Sequence, residues 1–553
     1  MARHGGRILA DQLALQGVRR VFSVPGESFL AALDGFIDAG IENVVCRHEG
    51  GAAMMAEAHG KLTGTPGVLF VTRGPGASNA AAGLHVARQD STPVVAFVGQ
   101  IARGHRDREA FQEVDFRAFF GPLVKWAAEV DDTARLPEYI SHAFHVAQSA
   151  RPGPVVLALP EDVLSAVAEA ADIPAPAPLA PAPSEAQLAA VTGALARAER
   201  PLVVVGGPHW SRSAAANLAG FAETFDLPVA ATFRRQDYMD NRHGHYVGDL
   251  GVGMNPKLGA RLKAADVVLA LGTRLGDTAT NGYALIDPGD PGKRIVHVHP
   301  DPDELGRVYR PDPGIALSAP AMLAALAAHP GHPGPWDGWT HEARAEYEAW
   351  STPQETPGAV KLEQVVAWLS GHLPDDAILT NGAGNYAAFL HRYFRFKGFR
   401  SQVAPTSGSM GYGFPAAIAA KLEHPDRPVI CLAGDGCFQM TLNEMSTAVQ
   451  HGANVVVIVA NNGRYGTIRM HQEKTYPGRV SGTDLVNPDY AMLARAYGAH
   501  GETVTDQAAF APALERALEA GRPAVIELML DPEALSTGLT LSQTRALGAG
   551  GAT

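Results

Sequence analysis

Residues 428–466 read PVICLAGDGCFQMTLNEMSTAVQHGANVVVIVANNGRYG. The segment opens on one apolar run, PVICLAG, and closes on a second, NVVVIVA. A helix-like run, TLNEMSTAVQHG, lies between them. Runs that are apolar throughout read as strands buried on both faces, as in parallel sheets. One strand–helix–strand crossover then brings both strand ends to the same edge of the sheet. The first end carries Gly434-Asp435-Gly436 and the second Asn461-Asn462, with Asp435 and Asn462 27 positions apart. A carboxylate facing an amide oxygen suits a hard cation such as Mg²⁺, with water and diphosphate oxygens completing its octahedron. The glycines let backbone approach a phosphate. Alone, each piece reads as a turn or a strand cap. Their pairing in this context points to a metal and phosphate site.

The same alternation extends in both directions. VLFVT (68–72), PVVAFVG (93–99), PVVLALP (154–160), PLVVVGG (201–207), DVVLALG (266–272) and RIVHVHP (294–300) are further apolar runs among Ala-rich helical stretches. The expected fold class is α/β, with three doubly wound parallel-sheet domains. Breaks fall at IPAPAPLAPAPS (173–184), at HPGHPGPWDG (329–338) and at STPQETPG (351–358). The first is an extended Pro/Ala spacer. The expected units are 1–170, 185–328 and 358–535, followed by a tail at 536–553. The Gly/Ala-rich end of that tail, LGAGGAT, reads as disordered.

Composition narrows the function. The 553 residues are 46% hydrophobic, which excludes a largely disordered chain. A net charge of -12 argues against nucleic acid as partner. No apolar run is long enough to span a membrane. Three cysteines, Cys46, Cys431 and Cys437, fit a reducing cytoplasm better than a disulfide framework. One competing pattern needs weighing. Gly382 to Ala387 satisfies G-x-G-x-x-A after a strand, as in dinucleotide binders, but FKGFRSQVAP follows, without the acid that such a site needs.

GDGCFQMTLNEMSTAVQHGANVVVIVANN resembles the thiamine diphosphate-binding motif. Further strings extend the resemblance along the chain: FSVPGE (22–27), RHEGGAAMMAEAHGKLTG (47–64), FVTRGPGASNAAAG (70–83), AFQEVD (110–115), RPGPVVLALPEDV (151–163), LGTRLGD (271–277) and SGSMGYGFPAAIAAKL (407–422). Together they are closest to the acetolactate synthase-like branch of the thiamine diphosphate-dependent enzymes. The resemblance implies that Asp435, Asn462 and the backbone carbonyl of Arg464 bind the metal. It implies that Glu49 is the carboxyl group that activates the cofactor, and that Met410 wedges beneath its thiazolium ring. Pro25, Gly74, Asn79, Gly384, Asn385, Ser409, Gly434, Gly436, Tyr465 and Gly466 are the further cofactor-binding candidates. Gln112, with Phe111 beside it, matches positions that line the active site. In this family the two ends of the cofactor belong to different subunits, so a homodimer or homotetramer is implied. The tail is expected to fold over the site.

Several residues depart from the branch. Arg73 stands where Ser is usual. Glu27 stands where Gly is usual, and related decarboxylases carry a proton-transferring acid there. GRYGTIRMHQE (463–473) lacks the usual Gln-Trp-Gln, and GDLGVGMNPKL (248–258) replaces a flavin-binding loop. FAD remains a candidate cofactor, with Arg274 as its contact. His105 is single, lies between Arg103 and Arg106, and reads as part of a solvated basic turn. The expected function is a thiamine diphosphate- and Mg²⁺-dependent carboligase acting on small 2-oxo acids such as pyruvate. A simple 2-oxo acid decarboxylase, with Glu27 as proton donor, is the alternative. A regulatory subunit stays open.

Overall fold

The computed structural model describes residues 2–176, 181–336 and 338–550. Three six-stranded sheets organise the chain, and every pairing within them is parallel. The first sheet runs Glu42–Val45, Arg20–Ser23, Gly67–Val71, Val94–Gln100, Pro154–Pro160, Trp126–Glu129. The third runs Gln402–Val403, Ile378–Asn381, Val429–Gly434, Val456–Asn461, Ala524–Met529, His500–Val504. Counted along the chain within each sheet, both follow the order 2-1-3-4-6-5. The central sheet runs Tyr246–Leu250, Val229–Thr232, Pro201–Val205, Val267–Leu271, Arg294–His299, Gly314–Ala316, which is 3-2-1-4-5-6. A short antiparallel pair, Ala2–His4 with Val167–Glu169, closes the first unit. Among the described residues no helix is long and apolar enough to cross a membrane.

The inner strands are fully buried, as their unbroken apolar runs require. The Pro/Ala spacer ends where Ser184 and Gln187 form a capping box on the helix Glu185–Leu195. Positions 177–180 of that spacer lie outside the described residues.

Two Ala-rich helices join the first sheet to the third. Glu49–Thr63 follows the second strand of the first sheet, and Gly413–Glu423 follows the second strand of the third. They pack on each other inside a single core fed by both sheets. Small side chains permit the approach. Glycines also seat the neighbours of Glu49–Thr63: a Cβ on Gly83, in the helix Gly74–Asp90, would lie 2.4 Å from Ala53 Cβ, and one on Gly51 would lie 2.6 Å from Glu444 Oε1 of the third unit.

A buried polar network fixes the seam. The Glu57 carboxylate accepts from Thr92 at 2.6 Å and also from Tyr412. Lys61 pairs with Asp90 and donates to the Ala404 carbonyl at 2.8 Å. Asp90 accepts from Thr406, N at 2.8 Å and Oγ1 at 2.6 Å. Burial pushes the Asp90 carboxyl up, but the cations of Lys61 and Arg235 outweigh it and hold the group below its ordinary value.

Candidate active site

The third sheet ends in a cavity of about 250 Å³. Gly384, Asn385, Met410, Gly434, Asp435, Gly436, Asn462, Arg464, Tyr465 and Gly466 all line it. These come from loops after the first four strands of that sheet, which puts them at the carboxyl edge where α/β sheets bind ligands. Ser409 does not line the cavity; its hydroxyl donates to the neighbouring Met410 carbonyl at 3.2 Å.

Local sequence explains each placement. Asp435 opens a five-residue helix at the end of its strand, and the predicted run beyond it splits into a turn, Leu442–Glu444, and a helix, Met445–Gln450. The helices Tyr386–Tyr393 and Gly466–Thr475 both begin at the cavity wall. Helix N-termini present free N–H groups, which suits an anion.

Asp435 is the electrostatic centre. Its Oδ1 accepts from Gly436 N at 2.8 Å, and its Oδ2 from Gly463 N at 2.9 Å and Asn487 Nδ2 at 2.7 Å. Burial pushes its pKa up, and these N–H donors offset only part of that rise. No cationic side chain pairs with it among the described residues. A desolvated carboxylate of this kind, beside the Asn462 amide, fits a hard divalent cation. Among the described residues no three His, Cys, Asp or Glu side chains cluster to hold a metal, so amide and backbone oxygens must contribute to any ligand set here. The donor chemistry and the glycine-lined cradle therefore fit a metal diphosphate.

The remaining candidates gather at the equivalent edge of the first sheet. Glu49 starts its helix behind His48, whose Nδ1 accepts from Gly50 N at 3.0 Å. The Glu49 carboxylate accepts from Asn79 Nδ2 at 2.9 Å. Gly74 N donates to the Gln112 carbonyl at 3.1 Å, and Gln112 has a φ of 64°. A Cβ on Gly76 would lie 2.9 Å from Thr72 Cγ2 and 3.2 Å from Glu49 Oε1, so glycine there lets helix Gly74–Asp90 run close to both without crowding. Pro25 and Glu27 follow the first strand, and Arg73 Nη1 donates to Glu27 Oε1 at 3.0 Å. Phe111 is 74% exposed beside this cluster. None of these residues lines the third-sheet cavity, so one chain holds two separate clusters. His105 is exposed in a short turn, flanked by the ion pairs of Arg103 with Asp162 and Arg106 with Asp131.

Some residues escaped the sequence reading. Asn487 bridges Asp435 and Asn461, and Thr467 Oγ1 holds both the backbone N and Oδ1 of Asn385. An isolated amide in a loop gives no signal in sequence.

The tail corrects one expectation. Leu541–Gly550 is helical and packs on Gly466–Thr475, so Leu547–Gly550 is ordered; only 551–553 fall outside the described residues. A Cβ on Gly548 would lie 2.5 Å from the Glu473 carbonyl oxygen. Glycine there serves close helix contact rather than disorder. Leu535 reaches the cavity wall.

A larger cavity, about 830 Å³, lies where the three units meet. Lys61, Asp90, Gly207, Trp210, Arg235 and Tyr238 are among its walls. Arg274 is not, and donates to the Gln89 carbonyl at 3.1 Å.

Comparison with known proteins agrees with this geometry. Residues 3–119 match the thiamine pyrophosphate enzyme N-terminal TPP binding domain, 188–326 the central domain, and 382–528 the C-terminal TPP binding domain. The acetolactate synthase large subunit of Parasynechococcus marenigrum is 32% identical over 95% of this chain and 87% of that protein. The acetolactate synthase catalytic subunit, mitochondrial, of Aspergillus candidus is 31% identical over 96% of this chain and 81% of its own. The acetolactate synthase isozyme 2 large subunit of Escherichia coli is 29% identical over 96% of each. With all three domain types matched in order and relatives aligned over nearly the whole length, this chain belongs to the thiamine pyrophosphate-dependent enzymes, in their acetolactate synthase-like branch.

Proposed function

We propose that the chain is a Mg²⁺-dependent carboligase of the acetolactate synthase type, taking pyruvate or a related small 2-oxo acid as donor in the cytoplasm. The observation that carries this is the desolvated, cation-free Asp435 beside Asn462, at a glycine-lined cavity fed by two helix N-termini. Asp435, Asn462 and the Arg464 carbonyl would hold the metal. Gly384, Asn385, Gly434, Gly436, Tyr465 and Gly466 would hold the diphosphate, and Met410 would support the ring. Thiamine diphosphate, when bound, supplies a carbon nucleophile and an electron sink for loss of CO₂.

The chain's own groups do the rest. Glu49, held by Asn79, would keep a proton at the cofactor's aminopyrimidine nitrogen and exchange it. Pro25, Gly74 and Asn79 would position that ring. Gln112 and Phe111 would face the second substrate. The first-sheet and third-sheet clusters are separate within one chain, so a complete site would pair the first from one chain with the third from another, in a homodimer or homotetramer.

One observation favours the decarboxylase alternative: Glu27, 69% exposed, stands at the edge of the Glu49 cluster, where the resemblance to related decarboxylases implies a proton-transferring acid. The deciding experiment supplies purified protein with thiamine diphosphate, Mg²⁺ and a panel of 2-oxo acids. CO₂, aldehydes and acyloins are followed together. Acetohydroxy acid or acyloin supports the carboligase, and CO₂ with equal aldehyde moves the function to the alternative. FAD is a candidate for the larger cavity, and flavin released on denaturation is its test; protein free of flavin, even after refolding with FAD, removes it.

A further inference from the structure

Two adjacent arginines, Arg234 and Arg235, follow the central strand Val229–Thr232, and both are buried, at 3% and 7% exposure. Arg235 donates to the Asp90 carbonyl at 3.0 Å, and the carboxylates of Asp90, Asp237 and Glu57 act on its charge. Arg234 turns toward the third unit instead. Its Nη2 donates to the Gly382 carbonyl at 2.7 Å and its Nη1 to the Pro405 carbonyl. Among the described residues no carboxylate pairs with it, and its buried Nε has no acceptor. Burial pushes the guanidinium down to about 10, which still leaves it charged at neutral pH. Its backbone has a φ of 61°, the left-handed region that a Cβ disfavours. A strained backbone and an unpaired buried charge both cost stability, and they coincide at this one residue.

Both accepting carbonyls lead into the third-sheet cavity. Gly382 precedes Ala383, Gly384 and Asn385, Pro405 precedes Gly408 and Met410, and those five followers all line it. The Pro405–Thr406 peptide is also held from its far side, where Thr406 N donates to Asp90. The Gly382 carbonyl takes a second donor, Asn381 Nδ2 at 2.8 Å. In a planar trans peptide the N–H points opposite to the C=O, so the Ala383 N–H faces away from the guanidinium. Donors on a carbonyl polarise its peptide and make that N–H a stronger donor in turn. We propose that Arg234 is a positioning residue of the cofactor site: it fixes and polarises the Gly382–Ala383 peptide, and its unneutralised charge behind the cavity wall favours an anionic ligand in the cavity. This rests on the reading of that cavity as the diphosphate site. The central unit, which lines no part of this cavity, thereby contributes to its charge.

The test compares Arg234→Lys, Arg234→Gln and Arg234→Met in cofactor-free protein. Calorimetric titration with thiamine diphosphate in excess Mg²⁺ reads the dissociation constant, with no need for turnover. Lysine keeps the charge, glutamine keeps a donor without charge, and methionine keeps neither. The glutamine and methionine variants should bind about 10–100-fold more weakly, the range seen when a group behind a ligand is lost. The lysine variant should recover most of the wild-type affinity. If the methionine variant does not fold, the lysine and glutamine pair decides. Wild-type affinity in every folded variant overturns the proposal. So does glutamine binding as well as lysine, which would leave only a hydrogen-bond staple between units, and so does lysine binding as weakly as glutamine, which would leave only packing. Wild-type protein that binds no thiamine diphosphate sinks the diphosphate-site reading itself, and this inference with it.

Discussion

The first and third sheets share the order 2-1-3-4-6-5, and in both the helix after the second strand meets its counterpart at the common core. Their candidate residues also fall at equivalent places. Pro25 and Glu27 follow the first strand of one, Gly384 and Asn385 the first strand of the other. Arg73 and Gly74 follow the third strand of one, Gly434-Asp435-Gly436 the third strand of the other. The chemistry differs. The third sheet builds a walled cavity of glycines, amides and one desolvated carboxylate. The first presents an open rim with Glu49, Glu27 and a buried arginine. Topology decides where a ligand can sit, and loop composition decides whether that place grips an anion or moves a proton. Two copies of one frame thus carry different loop chemistry, and the proposed site would draw one half from each.

The sharpest way to break this division of labour is Glu49→Gln. Turnover should fall by about 10²–10⁴-fold, the worth of a placed proton-transfer group. The rise in melting temperature on adding thiamine diphosphate with Mg²⁺ should persist, because the cavity of the third sheet is untouched. Near-wild-type turnover would remove Glu49 from the chemistry. Lys61→Met tests the seam instead. It strips the nearest cation from buried Asp90 and Glu57, so stability should drop by about 3–5 kcal/mol in urea unfolding. A drop below about 1 kcal/mol, the range of exposed pairs, would mean that the network does not hold the two sheets together.

Much of this frame was legible in sequence, for a physical reason. A strand buried on both faces must be apolar throughout, and PVVLALP and NVVVIVA say so directly. Edge strands such as Trp126–Glu129 and His500–Val504 lack that pressure and read as mixed segments. The Asp435–Asn462 pairing was legible because a crossover fixes where both strand ends emerge. The contact of Arg73 with Glu27 and Glu161 was not, because it joins loops far apart in the chain. Asn487 was silent for the same reason, and the tail glycines misled because close helix contact and disorder favour the same residue.

Asn487→Ala sharpens the contrast more gently. It removes one donor that orients Asp435 while leaving every proposed ligand in place. Apparent Mg²⁺ affinity, read from thermal shifts with thiamine diphosphate present, should weaken by about 10–100-fold, as when a support of a metal ligand is lost. Asn79→Ala, at the matching rim of the first sheet, should leave that affinity unchanged. Equal weakening by both would mean that the two clusters are not chemically distinct.

The smallest effect belongs to the helix Leu541–Gly550, which packs on Gly466–Thr475 beside the third-sheet cavity. Arg545 grips the buried Glu473 at 2.7 and 2.8 Å. Arg545 first, then Gly478 N–H and Arg469, pull the Glu473 carboxyl down to about 2. A carboxyl held below its unfolded value stabilises fully above about pH 5, and that stabilisation fades as pH falls toward the folded value. Amide exchange in 541–550, taken relative to the intrinsic exchange rate at each pH, should therefore accelerate between about pH 4 and pH 2. Arg545→Ala should produce the same acceleration at neutral pH, at a cost of about 1–3 kcal/mol for a charge-assisted contact. Because Leu535 lines the cavity and the helix that follows is tied down by this pair, loosening should also raise the KM for thiamine diphosphate while leaving the first-sheet cluster intact. A tail that exchanges freely in the wild type at neutral pH would show that the pair does not fasten it.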